Sequence, residues 1–119
     1  DFGSWEGKTP TEVKEQHPED WNNWLASLAH RPGGGESYAE VYSRIEAGIN
    51  DLVERYPHKK ICVVTHNIVI RAIAAYAMNA SLESMYHVDI LPCSITTVAV
   101  WPSDGLRALK SLSERAVAK

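Results

Sequence analysis

Residues Lys60–Arg71, reading KICVVTHNIVIR, contain the side chain best placed for chemistry, His66. An apolar, β-branched run, Ile61-Cys62-Val63-Val64-Thr65, stops at His66-Asn67, and a second apolar segment with helical spacing begins at Ile68. That order reads as strand, sharp turn, helix. At the carboxyl end of a strand in an open α/β sheet, a starting helix aims unpaired N–H groups into the crevice where ligands bind. A histidine there could be a nucleophile, a general acid or base, a phosphate ligand, or a core residue satisfied by hydrogen bonds. Its position favours contact with an anionic group, since no Gly-x-Ser-x-Gly supplies a triad serine. An imidazole titrating near its ordinary value of about 6.5 can donate to phosphate, or accept a phosphoryl group, at neutral pH.

Other chemistries find less support. The histidines His17, His30, His58, His66 and His87 have no His-x-x-x-His or Cys-x-x-Cys spacing, and Cys62 and Cys93 are two isolated thiols, so neither a structural zinc nor a disulfide scaffold is expected. A net charge of -3 and a sequence pI of 5.9, with no basic run beyond Lys59-Lys60, exclude an electrostatic footprint for nucleic acid. No apolar stretch approaches the ~20 residues of a membrane span. The opening DFGSWEGKTP has neither the form of a signal peptide nor an initiator methionine, so the 119 residues are expected to start within a longer protein, in a reducing, cytoplasmic setting.

The elements that must position His66 follow from caps and periodicity. Phe2 and Trp5, among glycines and acids, suit an irregular aromatic-stapled loop. Thr9-Pro10 with Glu12 predicts a helix start that His17-Pro18 soon interrupts. A second helix is expected from Glu19 to about Ala29, with Trp21, Trp24, Leu25 and Leu28 on one apolar stripe. Its tryptophans could form a ligand platform, but packing on a neighbour is the favoured reading. The stretch His30–Glu36, HRPGGGE, is either a loop whose backbone approaches a ligand or a connector, and composition leaves both open. Ser37 with Glu40 caps the longest helix, which Tyr56-Pro57 ends. A helix over about Ile68–Met78 is closed by Asn79, and Ser81–Tyr86 forms one short helix. Ser94–Trp101 and Leu106–Leu112, joined by Pro102-Ser103-Asp104-Gly105, read as a hairpin at a sheet edge, with a frayed tail after Ser113.

Three of these segments together, DFGSWEG, PGGGES before a long helix, and VVTHN before an arginine-containing helix, resemble the histidine phosphatase superfamily. The likeness is to its phosphoglycerate mutase-like branch and, within it, to phosphatases related to alpha-ribazole phosphatase. The signatures occur in the family's order and span Asp1 to about Ser113. The resemblance implies a three-layer α/β/α fold with a mostly parallel sheet and a C-terminal antiparallel hairpin. Residues 1–119 would be the C-terminal part of a single such domain, and its sheet would be incomplete.

In that family a histidine of an N-terminal Arg-His-Gly motif attacks the phosphoryl group and becomes a phosphohistidine. Two arginines, a second histidine and an acidic proton donor surround it. By the resemblance His66 is the second histidine, hydrogen-bonded to a phosphoryl oxygen as charge builds on the equatorial oxygens. Gly34, Gly35, Glu36 and Ser37 correspond to the loop bordering the pocket, and Trp5-Glu6-Gly7 to the segment after the proton donor, which would precede Asp1. Arg-His-Gly itself is absent from the chain, Arg71 is no obvious replacement for a family arginine, and Asn67 stands where glycine is usual. Asn67 tolerates left-handed backbone, and its amide could bond a phosphate or block it.

The expectation is therefore a phosphomonoesterase working through a phosphohistidine whose nucleophile lies outside this sequence. Its partner would be a phosphorylated small-molecule substrate, with no metal or organic cofactor implied and neither nucleic acid nor membrane involved. The unpaired strand at Lys60–Thr65 would call for a homo-oligomer or a complementing N-terminal segment, and the chain alone would be inactive. The alternatives are a phosphoglycerate mutase-type phosphotransferase, for which extra substrate-gripping positive charge is lacking, and a non-catalytic phosphate-binding or interaction domain.

Overall fold

The computed structural model describes residues 1–115, which fall into two compact units, Asp1–Val41 and a second beginning at Tyr42. Among the described residues no helix is long and apolar enough to cross a membrane.

The first unit is built on caps and aromatic packing. A single 3-10 turn, Gly3–Trp5, precedes α1, Pro10–Gln16. The Thr9 hydroxyl accepts the Glu12 N–H at 3.2 Å, and Pro10 occupies the first helical position, where its missing N–H costs nothing. His17, kept out of the helical region by the following proline, closes α1 and opens α2, Pro18–Ala26. Helix α2 ends earlier than its periodicity predicts, because Ser27 is extended. Leu28 thus leaves the helical register, and Leu25 is 62% exposed. The expected stripe contracts to Trp21 and Trp24. Trp5 is the hub: its ring stacks on Trp21 at 5.7 Å and meets Trp24 edge-on at 5.5 Å, while Trp24 also contacts Phe2 and Tyr38. The packing reading of the tryptophans is what the fold adopts. Lys14 lies over Trp21 and adds a cation–π contact.

Helix α3, Tyr38–Arg55, starts with a capping box: Glu40 N–H donates to the Ser37 hydroxyl at 3.1 Å, and Ser37 N–H donates to the Glu40 carboxylate at 3.2 Å. Val41 and Ile45 face inward, whereas Asp51 and Arg55 pair at 3.1 Å on the solvent side.

In the second unit the centre is α4, Asn67–Ala77, whose Ala72, Ala74, Ala75 and Ala77 are buried together with Tyr76. Small residues let the helix approach its neighbours closely. It ends in two crossed hydrogen bonds, Ala80 N–H to Ala75 C=O and Asn79 N–H to Tyr76 C=O, around Asn79 at φ 52°. Asparagine bears that left-handed conformation better than most residues. A 3-10 turn, Leu82–His87, buries Met85 and leads to a hairpin of β1, Ile95–Val100, and β2, Arg107–Glu114. The strands pair antiparallel with Val98 opposite Leu109 and Val100 opposite Arg107; toward Ile95 the register slips twice. Ser113, at φ 52°, lies in the first slip and sends its N–H to the Thr96 hydroxyl. Arg107 fastens the hairpin to α4, its guanidinium 3.9 Å from the Tyr76 ring centre and its Nε donating to Tyr76 C=O.

One expectation is corrected. Residues 61–65 join no ladder, and among the described residues β1 and β2 are the only paired strands. Ile61, Val63 and Val64 are 44%, 58% and 94% exposed. β-branched side chains favour a pleated surface but cannot hold one without a neighbour to share the hydrogen bonds. The mostly parallel sheet is thus not formed among the described residues, while the C-terminal hairpin is.

Candidate functional site

Each compact unit contains some of the candidate residues. In the second unit His66 is the N-cap of α4, in extended conformation at φ -113° and ψ 165°, and its C=O accepts the Ile70 N–H at 3.0 Å. Its imidazole caps nothing and is exposed, so the ring is free for a ligand. The N–H groups of Asn67, Ile68 and Val69 have no acceptor within the helix, and the first turn carries no acidic residue to compete for them.

Asn67 sits at the first helical position with its side-chain NH2 donating 2.9 Å to Ile90 C=O. Its amide nitrogen is therefore bound to protein and ties the segment before β1 to the head of α4. That segment is held from the other side as well, where Leu91 N–H donates to the Ser113 hydroxyl and Leu91 C=O accepts from Ser94. Arg71, one turn further along, is half-buried, 3.9 Å from the exposed carboxylate of Asp89.

The first unit supplies the glycine-rich loop. Gly33 and Gly34 have φ of 59° and 76°. A Cβ at Gly3 would lie 2.1 Å from Gly33 C=O, one at Gly33 would lie 2.6 Å from Phe2 C=O, and one at Gly35 would lie 2.3 Å from Asp1 C=O. These glycines are required because two backbones interlock there, with Glu36 N–H donating to Asp1 C=O at 2.8 Å. Gly34 differs: a Cβ there meets open space, and the residue is exposed.

The carboxylate of Glu40 ties the two ends of this loop together. It receives both the Arg31 guanidinium, at 2.7 and 2.9 Å, and the Ser37 N–H. Its pKa falls to about 2, chiefly through Arg31 and then through the Ser37 N–H. Asp20 holds the middle, one oxygen 2.5 Å from His30 Nε2 and the other accepting the Gly33 N–H at 2.9 Å. Burial, the largest single influence, pushes the Asp20 carboxyl up, but His30 and the Gly33 N–H together leave it below its ordinary value.

The structure thus brings Trp5, Gly34, Gly35, Glu36 and Ser37 into one interlocked region, with Trp5 buried at its base. Ser37 is 1% exposed and its hydroxyl is engaged in capping α3. Glu6 folds back to accept the Phe2 N–H. His66 and Asn67 stand together at the head of α4. Sequence reasoning missed Asp20 and the partner of Asn67. Asp20 had a faint signal, an acidic residue in the first turn of α2, but nothing local marks Gly33 as its partner. Among the described residues no group of three or more His, Cys, Asp or Glu side chains is arranged to hold a metal.

The profile described as histidine phosphatase superfamily (branch 1) matches residues 1–112. The chain is 31% identical over 116 residues to the Bifunctional protein Rv2228c of Mycobacterium tuberculosis, covering 96% of this chain and 31% of that protein. It is 31% identical over 88 residues to Phosphoserine phosphatase 1 of Hydrogenobacter thermophilus, covering 72% and 41% respectively. Among solved structures it resembles the alpha-ribazole phosphatase of Shigella flexneri with a TM-score of 0.79 at 23% identity, over 99% of this chain and 58% of that one. That likeness shows the fold, the α/β phosphoglycerate mutase-like architecture. The chain spans about a third to two-fifths of the length of these two relatives.

Proposed function

This chain belongs to the histidine phosphatase superfamily, branch 1, and from that premise we propose that it forms part of a phosphomonoesterase. The observation that carries the proposal is the head of α4, where an exposed imidazole stands beside three N–H groups with no helical acceptor. A phosphoryl group suits that pairing: the N–H groups and the helix dipole favour its charge, and His66 donates to one of its oxygens.

The reaction proceeds in two displacements. A histidine of an Arg-His-Gly motif outside these residues attacks phosphorus, the P–O bond to the leaving group breaks, and an acidic donor protonates the departing oxygen. Water then cleaves the P–N bond and releases inorganic phosphate. His66 holds the equatorial oxygens through both steps, a contact that strengthens as negative charge gathers there. In the first unit Ser37 fixes the start of α3 behind Glu36 and the glycine loop, the stretch that the family resemblance assigns to the substrate. Phosphomonoester hydrolysis is favoured over phosphoryl transfer between substrates because relatives with phosphatase names recur among those similar to the chain, phosphoserine and alpha-ribazole phosphatases included.

The test is p-nitrophenyl phosphate turnover by the protein that contains this chain, measured beside its His66→Ala variant. A loss of about a hundredfold or more in kcat, the size of one lost electrostatic contact to the transition state, supports the role. Turnover untouched by the substitution contradicts it, and saturable phosphate binding with no turnover would favour a non-catalytic domain.

A further inference from the structure

Gly34 is the exposed glycine of a loop whose other residues are fixed from three directions. Glu40 joins its two ends, Arg31 and Ser37, and the backbone of Asp1–Gly3 locks Gly33 and Gly35 from one side. The remaining direction belongs to Asp20, which reaches from the first turn of α2 across 13 residues of sequence to the Gly33 N–H. It is the only side chain among the described hydrogen bonds that grips the glycine run itself, and its second oxygen is braced by His30 at 2.5 Å.

We infer that Asp20 is a positioning residue for the substrate loop: by holding the Gly33 N–H, with His30 as its brace, it sets how Gly34 and Glu36 are presented to the phosphorylated substrate. The inference rests on the proposed phosphatase reading for what the loop does, and on geometry alone for what holds it. Gly33, in left-handed backbone at φ 59°, has its N–H turned toward α2. Without an acceptor this partly buried donor would be left unsatisfied, and a three-glycine run has little intrinsic preference to keep its shape. The oxygen bound to Gly33 has to accept; the one facing His30 can be replaced by a donor when the ring is neutral. An asparagine can therefore do the work of Asp20, and an alanine cannot.

The protein that contains this chain is compared as wild type, Asp20→Ala and Asp20→Asn, with the Gly33 amide followed by 1H–15N NMR. Asp20→Ala should move the Gly33 resonance and speed its hydrogen exchange by about tenfold or more, the worth of one hydrogen bond to a charged group. Asp20→Asn should restore most of the protection. In the phosphatase assay Asp20→Ala should raise KM for p-nitrophenyl phosphate several-fold with a smaller change in kcat, and Asp20→Asn should recover it. An unchanged Gly33 amide in Asp20→Ala, or Asp20→Asn behaving like Asp20→Ala, overturns the inference. So does a shifted amide with unaltered KM, which would leave Asp20 a purely structural contact. If wild type itself shows no turnover, the phosphatase reading fails and takes the substrate role with it, while the amide still reports whether Asp20 holds the loop.

Discussion

The loop Arg31–Ser37 and the stretch 59–66 both lead into a helix, yet they are held in opposite ways. In the loop, the N–H groups of Gly33, Gly34, Gly35, Glu36 and Ser37 all have acceptors, three of them supplied by Asp20, Asp1 and Glu40. Residues 61–64 are all exposed, and no ladder fixes them. The first region has three consecutive glycines, and the second is centred on the β-branched run Ile61-Cys62-Val63-Val64-Thr65. Conformational stiffness and hydrophobicity do not by themselves confer order; partners do. A glycine run with partners is better fixed than a β-branched run without them.

The largest effect that would test this contrast is at Gly3. A methyl group there collides with the Gly33 carbonyl in a left-handed backbone, so Gly3→Ala should cost about 3 kcal/mol, combining overpacking with backbone strain. Gly34→Ala, also left-handed but facing open space, should cost only about 1 kcal/mol. Urea denaturation of the two variants measures the difference, and equal losses would mean that the interlock contributes nothing. In the second unit Asn67→Ala should cost about 1–2 kcal/mol by leaving the Ile90 carbonyl without its donor, which also tests whether the amide serves the fold. Ser37→Ala, removing one half of the capping box, should cost about 1 kcal/mol.

A pH titration of stability separates the loop ends from its middle. Glu40 has a folded-state pKa depressed from 4.5 to about 2, so its contribution is present above 4.5 and is lost as pH falls toward 2. Glu40→Gln should flatten the acid limb of the stability curve in that window, and an unaltered limb would show that the Arg31–Glu40 clasp does not hold in solution. The smallest effect belongs to Val64→Ser. At 94% exposure the substitution should change stability by less than about 0.5 kcal/mol, and a loss several times larger would reveal a partner for the stretch in solution.

What could be read from the sequence follows from the range of each interaction. The caps at Thr9 and Ser37 join residues three apart, and the asparagine closing α4 acts within one turn, so local pattern is enough. The hairpin was legible for the same reason, its turn residues lying between two β-branched or alternating runs, though Ser113 and the register slips were not. The contacts from Asp20 to Gly33 and from Asn67 to Ile90 span 13 and 23 residues, and the Gly3–Gly33 interlock spans 30 positions of chain, so nothing local announces them. The strand expected over residues 61–65 failed on the same ground, because apolar composition specifies willingness to pair and not a partner. His66 was legible by position, at the junction of an apolar run and a helix start, and the structure keeps it at that junction as the N-cap of α4.

The central claim is that the His66 imidazole and the head of α4 grip phosphate. Its most direct measurement is a titration of the full chain with inorganic phosphate at constant ionic strength, following the five histidine ring signals by NMR. A saturable shift of the His66 resonance that chloride does not reproduce is expected. A His66 signal that stays still, or moves with chloride as it does with phosphate, would contradict it.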